Sequence, residues 1–333
     1  MLKFPIDINR EVGTLECYGL AHLSVMIGLT PMYRAGITER FYFAWRFGLG
    51  LLLVITGVPN MALTVEPVIT PLRIVTSFYP VYLATLNVAG GIPGVEVVNM
   101  TRPATGCLHD YQLTPGDMVT LSRATVLVIN GAGMEAFLDK ALRQAPGLKV
   151  VNAGAGIDLI RGKDGENPHV WLSVTRAIAQ VRNIARDLMR LDPAHAALYE
   201  KNAAAYIQKL ETLRTRIQAG LKDIRTRDII TFHEAFPYFA EEFNLKVVAV
   251  IEREPGSEPS ARELAELIGK IRESGVKALF AEPQYSARAM ETIARETGAI
   301  VYHLDPVVTG PLQADAYLVI MEANLRELQK ALR

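Results

Sequence analysis

Leu72-Arg73-Ile74-Val75-Thr76-Ser77-Phe78-Tyr79-Pro80 is the stretch on which the fold turns. Its β-branched residues predict a strand over 72–76. Pro80 suits the first turn of a following helix, where a missing amide hydrogen leaves no bond unmade. A strand running straight into a helix opens a βαβ unit, and the pattern recurs. Val95–Asn99, Ala124–Asn130 and Lys149–Ala153 read as further strands, with a helix predicted over Met134–Ala145 between the last two. A second series runs through Asp228–Phe232, Lys246–Ile251, Lys277–Ala281 and Ala299–Leu304. Ser260 and Glu263 form a capping box for a helix ending near Gly275. The alternation predicts an α/β protein of two lobes, each a mostly parallel sheet with flanking helices.

Between the two series, Val174 to Arg225 carries no strand signal. Ala203, Tyr206, Ile207, Leu210, Leu213, Ile217 and Leu221 recur at steps of three or four, which gives a helix one apolar face. About 25 helical residues reach about 40 Å, so this segment is read as one long connector helix between the lobes. The expected division is a leader over 1–66, an N-terminal lobe over 72–196, the connector over 197–225 and a C-terminal lobe over 226–333.

Composition agrees with such a size. Half of the 333 residues are hydrophobic, enough to bury more than one core. The formal net charge is zero and no basic stripe gathers, so the electrostatic footprint of a nucleic-acid binder is missing. Two cysteines, Cys17 and Cys107, support neither a disulfide scaffold nor a CxxC zinc knuckle. In the leader, Arg34, Arg40 and Arg46 precede an apolar run from Phe47 to Val58, and Pro59-Asn60-Met61-Ala62 breaks it, the order of a secretory signal. A dozen apolar residues fall short of the roughly 20 that a membrane-spanning helix needs. Residues 1–31 are long for the region ahead of such a run, so Met32 is read as the true start. No cysteine follows the run at a lipid-attachment position.

Four ligand-type residues lie far apart in the sequence at places where loops or strand ends can deliver them to one cleft: His109, His169, His233 and Asp305. Three imidazoles and a carboxylate suit a divalent transition metal, zinc first. His233 follows the strand 228–232, Asp305 ends the strand 299–304, and Glu282 follows the strand 277–281. In an open parallel sheet all three emerge along the carboxyl edge, where such folds bind ligands. Two ligands are therefore expected from each lobe. A lone loop histidine is usually solvated or hydrogen-bonded, so the joint placement carries the argument. Glu282 is read as an outer partner orienting a ligand imidazole or as a solvated strand end. His303 is read as an outer partner, an extra ligand or a packing residue. Cys107 is read as a further soft ligand or a small loop residue. A coordinating imidazole must be neutral, so metal and protons compete as the pH falls through about 6.5.

The runs Ile74-Val75-Thr76-Ser77-Phe78-Tyr79-Pro80, His109-Asp110-Tyr111-Gln112-Leu113-Thr114-Pro115, Asn167-Pro168-His169-Val170-Trp171-Leu172, His233-Glu234-Ala235-Phe236-Pro237-Tyr238-Phe239 and Ala281-Glu282-Pro283-Gln284 closely resemble the metal-binding solute receptors of bacterial ABC importers, the zinc and manganese type. The resemblance covers about Leu72 to Arg333. It implies two α/β lobes on a single long helix, a metal in the cleft, and handover to an inner-membrane permease powered by a cytoplasmic ATPase. It maps the family's ligands onto His109, His169, His233 and Asp305. Manganese-type members often carry a carboxylate where this chain has His233, so zinc is favoured over manganese or iron. The implied protein is a periplasmic or otherwise extracytoplasmic receptor, a monomer and not an enzyme. A zinc hydrolase is the weaker alternative, because His233-Glu234-Ala235-Phe236-Pro237 lacks the second histidine of HExxH and Pro237 breaks the helix that motif needs. An adhesion protein on the same scaffold is another.

Overall fold

A computed structural model of the chain describes residues 71–109, 111–162, 165–252, 259–285 and 288–333. The described residues belong to one compact unit. The expected leader, with Cys17, His22 and Met32, lies outside the described residues.

The first lobe is built from β1 (Leu72–Thr76), α1 (Tyr79–Ala89), β2 (Val95–Asn99), α2 (Pro115–Ser122), β3 (Val126–Ile129), α3 (Asp139–Gln144) and β4 (Lys149–Asn152). Its strands lie in the order β2-β1-β3-β4, every pair parallel. A small antiparallel hairpin, β5 (Arg161–Gly162) with β6 (Gly165–Glu166), precedes two long helices, α4 (Val174–Leu191) and α5 (Ala196–Gly220). The second lobe follows as β7 (Asp228–Thr231), α6 (Pro237–Glu242), β8 (Lys246–Val250), α7 (Ala261–Ser274), β9 (Ala278–Ala281), α8 (Arg288–Thr297), β10 (Ile300–His303) and α9 (Ala316–Leu332). Its order is β10-β9-β7-β8, again parallel throughout.

The connector is the 25-residue α5, which buries Tyr199, Ala203, Tyr206, Leu210, Leu213 and Ile217 along one face. These residues join one apolar cluster with side chains of α1, α4 and α9, so the helix is packed along its length. At its end, a side chain on Gly220 would meet Leu325 and Gln329 of α9 at 2.9 Å. Local signals behave as read: Ser260 and Glu263 cap α7 reciprocally, and Gly275, at φ 68°, ends it in the left-handed conformation.

One element departs from expectation. The helix predicted over Met134–Ala145 is a 3-10 turn, Ala136–Leu138, followed by the short α3. Gly131, Ala132 and Gly133 all take positive φ ahead of it. The carboxylate of Glu135 reaches back to accept from the amides of Asn130 (2.7 Å) and Gly131 (3.0 Å) and from Ser77 Oγ (2.7 Å). Burial pushes the Glu135 carboxyl up from 4.5 to about 7, against the pull of these donors. Because the folded value exceeds the unfolded one, its stabilising contribution is complete below pH 4.5 and is lost as the pH rises through 7. In urea unfolding the stability of wild type relative to Glu135→Gln therefore falls by about 3 kcal/mol between pH 4.5 and pH 8. A difference independent of pH would contradict this account.

Candidate metal centre

Each imidazole arrives on a segment whose local sequence explains its aim. Gly106 adopts φ 82°, and a Cβ there would press on the Tyr285 hydroxyl at 2.9 Å, so only glycine lets the chain turn at this point. Leu108 is then fully buried in the apolar core, while Cys107 and His109 on either side of it face the centre. His169 stands immediately before the 3-10 turn Val170–Leu172, whose three side chains are buried. His233 lies just beyond β7, and Glu282 just beyond β9, at the carboxyl ends of two neighbouring parallel strands.

The hydrogen bonds around these rings fix which nitrogen carries the proton. Asn167 Nδ2 donates to the Glu234 carbonyl (2.7 Å), which sets the amide so that its oxygen faces His169. That oxygen accepts from both the amide and Nδ1 of His169, each at 3.0 Å. The Glu282 carboxylate accepts from His233 Nδ1 and from the His233 amide (3.3 Å), and is held in turn by Gln284 Nε2 (2.9 Å). With both Nδ1 atoms donating, Nε2 of His169 and Nε2 of His233 present bare lone pairs. These face each other across 3.2 Å, and His109 Nε2 lies 3.3 Å from His169 Nε2. Cys107 Sγ completes the group, 3.7 Å from His169 Nε2 and 3.6 Å from His233 Nε2. All four ligand atoms lie within 4.8 Å of one another, the one such group of three or more metal-ligating residues among the described residues.

Lone pairs driven together in a buried site repel unless a cation sits between them. Burial, with His233 and His109 as neighbours, holds the His169 imidazole well below its usual range, so it stays neutral and ready to coordinate. Burial and the charge of Glu282 push the Cys107 thiol up. A cavity of about 220 Å³ opens beside His109 and His169, and Glu166 and Glu234 line it. Two carboxylates lining a cleft concentrate cations.

Asp305, expected as the fourth ligand, is not in the converging group. Its Oδ1 accepts from the Val307 amide at 2.7 Å, and its own amide donates to Asn324 Oδ1 at 2.8 Å. Val307 is fully buried at φ 60°, a rare conformation for a β-branched residue, so the carboxylate is engaged in holding a strained turn. Burial, with Glu282 in electrostatic reach, raises its pKa to about 6. His303 is exposed at the end of β10 and joins neither the group nor its hydrogen-bond partners. Three of the four converging atoms come from the first lobe and one from the second. Cys107, read as a further soft ligand or a small loop residue, joins the group, and its i, i+2 spacing from His109 is the sequence signal for it.

Two parallel-sheet lobes on one long helix, with imidazole lone pairs converging at strand and loop ends, define a solute receptor built to hold a metal ion. Residues 74–331 match the family described as ZnuA, the zinc-uptake complex component A, periplasmic, and the chain belongs to that family. It is 32% identical over 283 residues to the high-affinity zinc uptake system protein ZnuA of Bacillus subtilis, covering 78% of this chain and 88% of that protein. The zinc-binding lipoprotein AdcA of Streptococcus pneumoniae is 32% identical over 282 residues, 78% of this chain and 55% of the relative, so the chain spans about half of AdcA. Among solved structures, the SBP FpvC of Pseudomonas aeruginosa in complex with Mn2+ superposes with a TM-score of 0.72 at 33% identity, covering 79% of this chain and 98% of FpvC.

Proposed function

We propose that this chain is the extracytoplasmic receptor of a zinc importer: it captures Zn2+ through His109, His169 and His233 and delivers it to an ABC permease driven by a cytoplasmic ATPase. The observation that carries this reading is the pair of Nε2 lone pairs facing each other across 3.2 Å, each fixed by an acceptor on the far side of its ring. Such an arrangement is made for a cation. Three nitrogens lean the site toward zinc; manganese and iron prefer harder oxygen sets. Asp305 contributes negative charge near Glu282 in this reading. The ion enters past Glu166 and Glu234, and Glu282 holds the His233 ring in its coordinating tautomer.

The lobes divide at 72–196, 197–225 and 226–333, and export proceeds through the apolar run Phe47–Val58. Among the described residues no helix is long and apolar enough to cross a membrane. The receptor works as a monomer, without nucleic acid and without catalysing a reaction. Calorimetric titration of the purified chain with zinc tests the proposal: one tight site per chain is expected, and the absence of zinc binding would overturn it. Glu282→Gln weakens zinc by about 10- to 100-fold, since outer partners of ligand imidazoles carry that much affinity. An unchanged zinc affinity in that variant would remove Glu282 from the site.

A further inference from the structure

The sulfur of Cys107 is the member of the converging group that the expected three-histidine, one-aspartate set does not contain. Distances alone assign it a role. A tetrahedral zinc, with Zn–N about 2.05 Å and Zn–S about 2.3 Å, sets two nitrogen ligands about 3.3 Å apart and a nitrogen and a sulfur about 3.6 Å apart. The imidazole pairs lie at 3.2 and 3.3 Å, and the sulfur lies at 3.6 and 3.7 Å from His233 and His169. These four separations match four of the six edges of a His3Cys tetrahedron, and the other two are within 4.8 Å. Hydrogen bonding explains the same positions less well: both Nε2 atoms facing the sulfur are acceptors, and one thiol proton can satisfy only one of them.

The backbone is also set for this placement. Gly106 gives the turn, Leu108 anchors the segment in the core, and the Cys107 amide donates to the Tyr285 hydroxyl at 3.4 Å. Tyr285 stacks on Phe232 with ring centroids 5.6 Å apart, so the first-lobe loop is pinned against the second lobe beside His233. One oxygen of Asp305 meanwhile holds the Val307 turn.

We infer that Cys107 is the fourth metal ligand, bound as a thiolate, and that it tunes this receptor toward zinc and similarly soft divalent ions and away from manganese. The inference rests on the metal-receptor reading and specifies its ligand set. As the metal–sulfur bond forms, the thiol proton leaves to water, and no electron is transferred. A soft sulfur strengthens the hold on zinc and cobalt and adds little for manganese, which favours oxygen.

Cobalt(II) is the probe. Titrated into the purified chain, it gives a thiolate-to-cobalt charge-transfer band in the near ultraviolet, together with the strong visible bands of a tetrahedral site. Cys107→Ser, nearly isosteric, keeps cobalt binding but abolishes the charge-transfer band, and Cys107→Ala does the same. Zinc affinity falls by about 10- to 100-fold in both variants, at least the loss set by an outer partner, and manganese affinity changes far less. Cobalt binding without the band in wild type, or a band retained in Cys107→Ser, would overturn the assignment of Cys107 and leave the receptor reading standing. No cobalt or zinc binding at all would overturn both.

Discussion

Replacing His169 with alanine abolishes high-affinity zinc binding and leaves the far-ultraviolet circular dichroism spectrum unchanged. Among the four converging groups, His169 Nε2 is in close range of every other one: His109 at 3.3 Å, His233 at 3.2 Å and Cys107 at 3.7 Å. His169 Nε2 is thus in contact with all three of its neighbours, and its removal breaks the group at its hub. Disturbing an outer partner already costs about 10- to 100-fold in affinity, so the loss here exceeds about 100-fold, or about 2.7 kcal/mol. The ring makes its own hydrogen bonds only to Asn167, and Asn167 keeps its bond to Glu234 in the variant. The fold therefore survives. Calorimetry with zinc, paired with circular dichroism, separates the outcomes: tight binding by the alanine variant would mean that the metal sits elsewhere.

The architecture was legible wherever local chemistry decides it. The β-branched runs of β1, β2, β7 and β8 occur where they were read, the shared edge that delivers His233 and Glu282 follows from strand order, and α5 carries the predicted apolar face. Legibility ended where a distant partner overrides local pattern. Glu135 has the propensity of a helical residue, yet its carboxylate is claimed by Asn130, Gly131 and Ser77, and the helix starts late. Asp305 looks like a strand-end ligand, and the left-handed backbone of Val307, invisible in the letters, engages one oxygen of its carboxylate. Cys107 is the converse. A single cysteine without a CxxC partner leaves the ligand and loop readings both open until the chain folds and brings it against two imidazoles that lie 62 and 126 positions away.

Trp171→Ala destabilises the protein by about 3–5 kcal/mol, the usual result of emptying a buried aromatic site, and lowers the melting temperature by about 10 °C. Trp171 is 2% exposed, packs edge-on against Phe78 at 5.2 Å between centroids and lies 5.2 Å from the His169 ring. Its indole Nε1 donates to the Pro306 carbonyl at 2.8 Å, and its own carbonyl accepts from the Tyr317 hydroxyl at 2.8 Å. One residue of the first lobe is thus bonded to the loop after β10 and to α9 of the second. The alanine variant leaves the Pro306 carbonyl without its donor, a penalty of about 1–3 kcal/mol in a buried setting. Trp171→Phe isolates that part: it keeps most of the packing and loses the indole donor, so it melts between wild type and the alanine variant. Thermal unfolding followed by circular dichroism reads the order wild type, phenylalanine, alanine. Equal melting of the phenylalanine variant and wild type would show that the bond to Pro306 contributes nothing to holding the lobes together. The only other tryptophan, Trp45, lies in the expected leader. In a chain lacking that leader, intrinsic tryptophan fluorescence comes from Trp171 alone, and zinc arriving at the neighbouring His169 ring changes it.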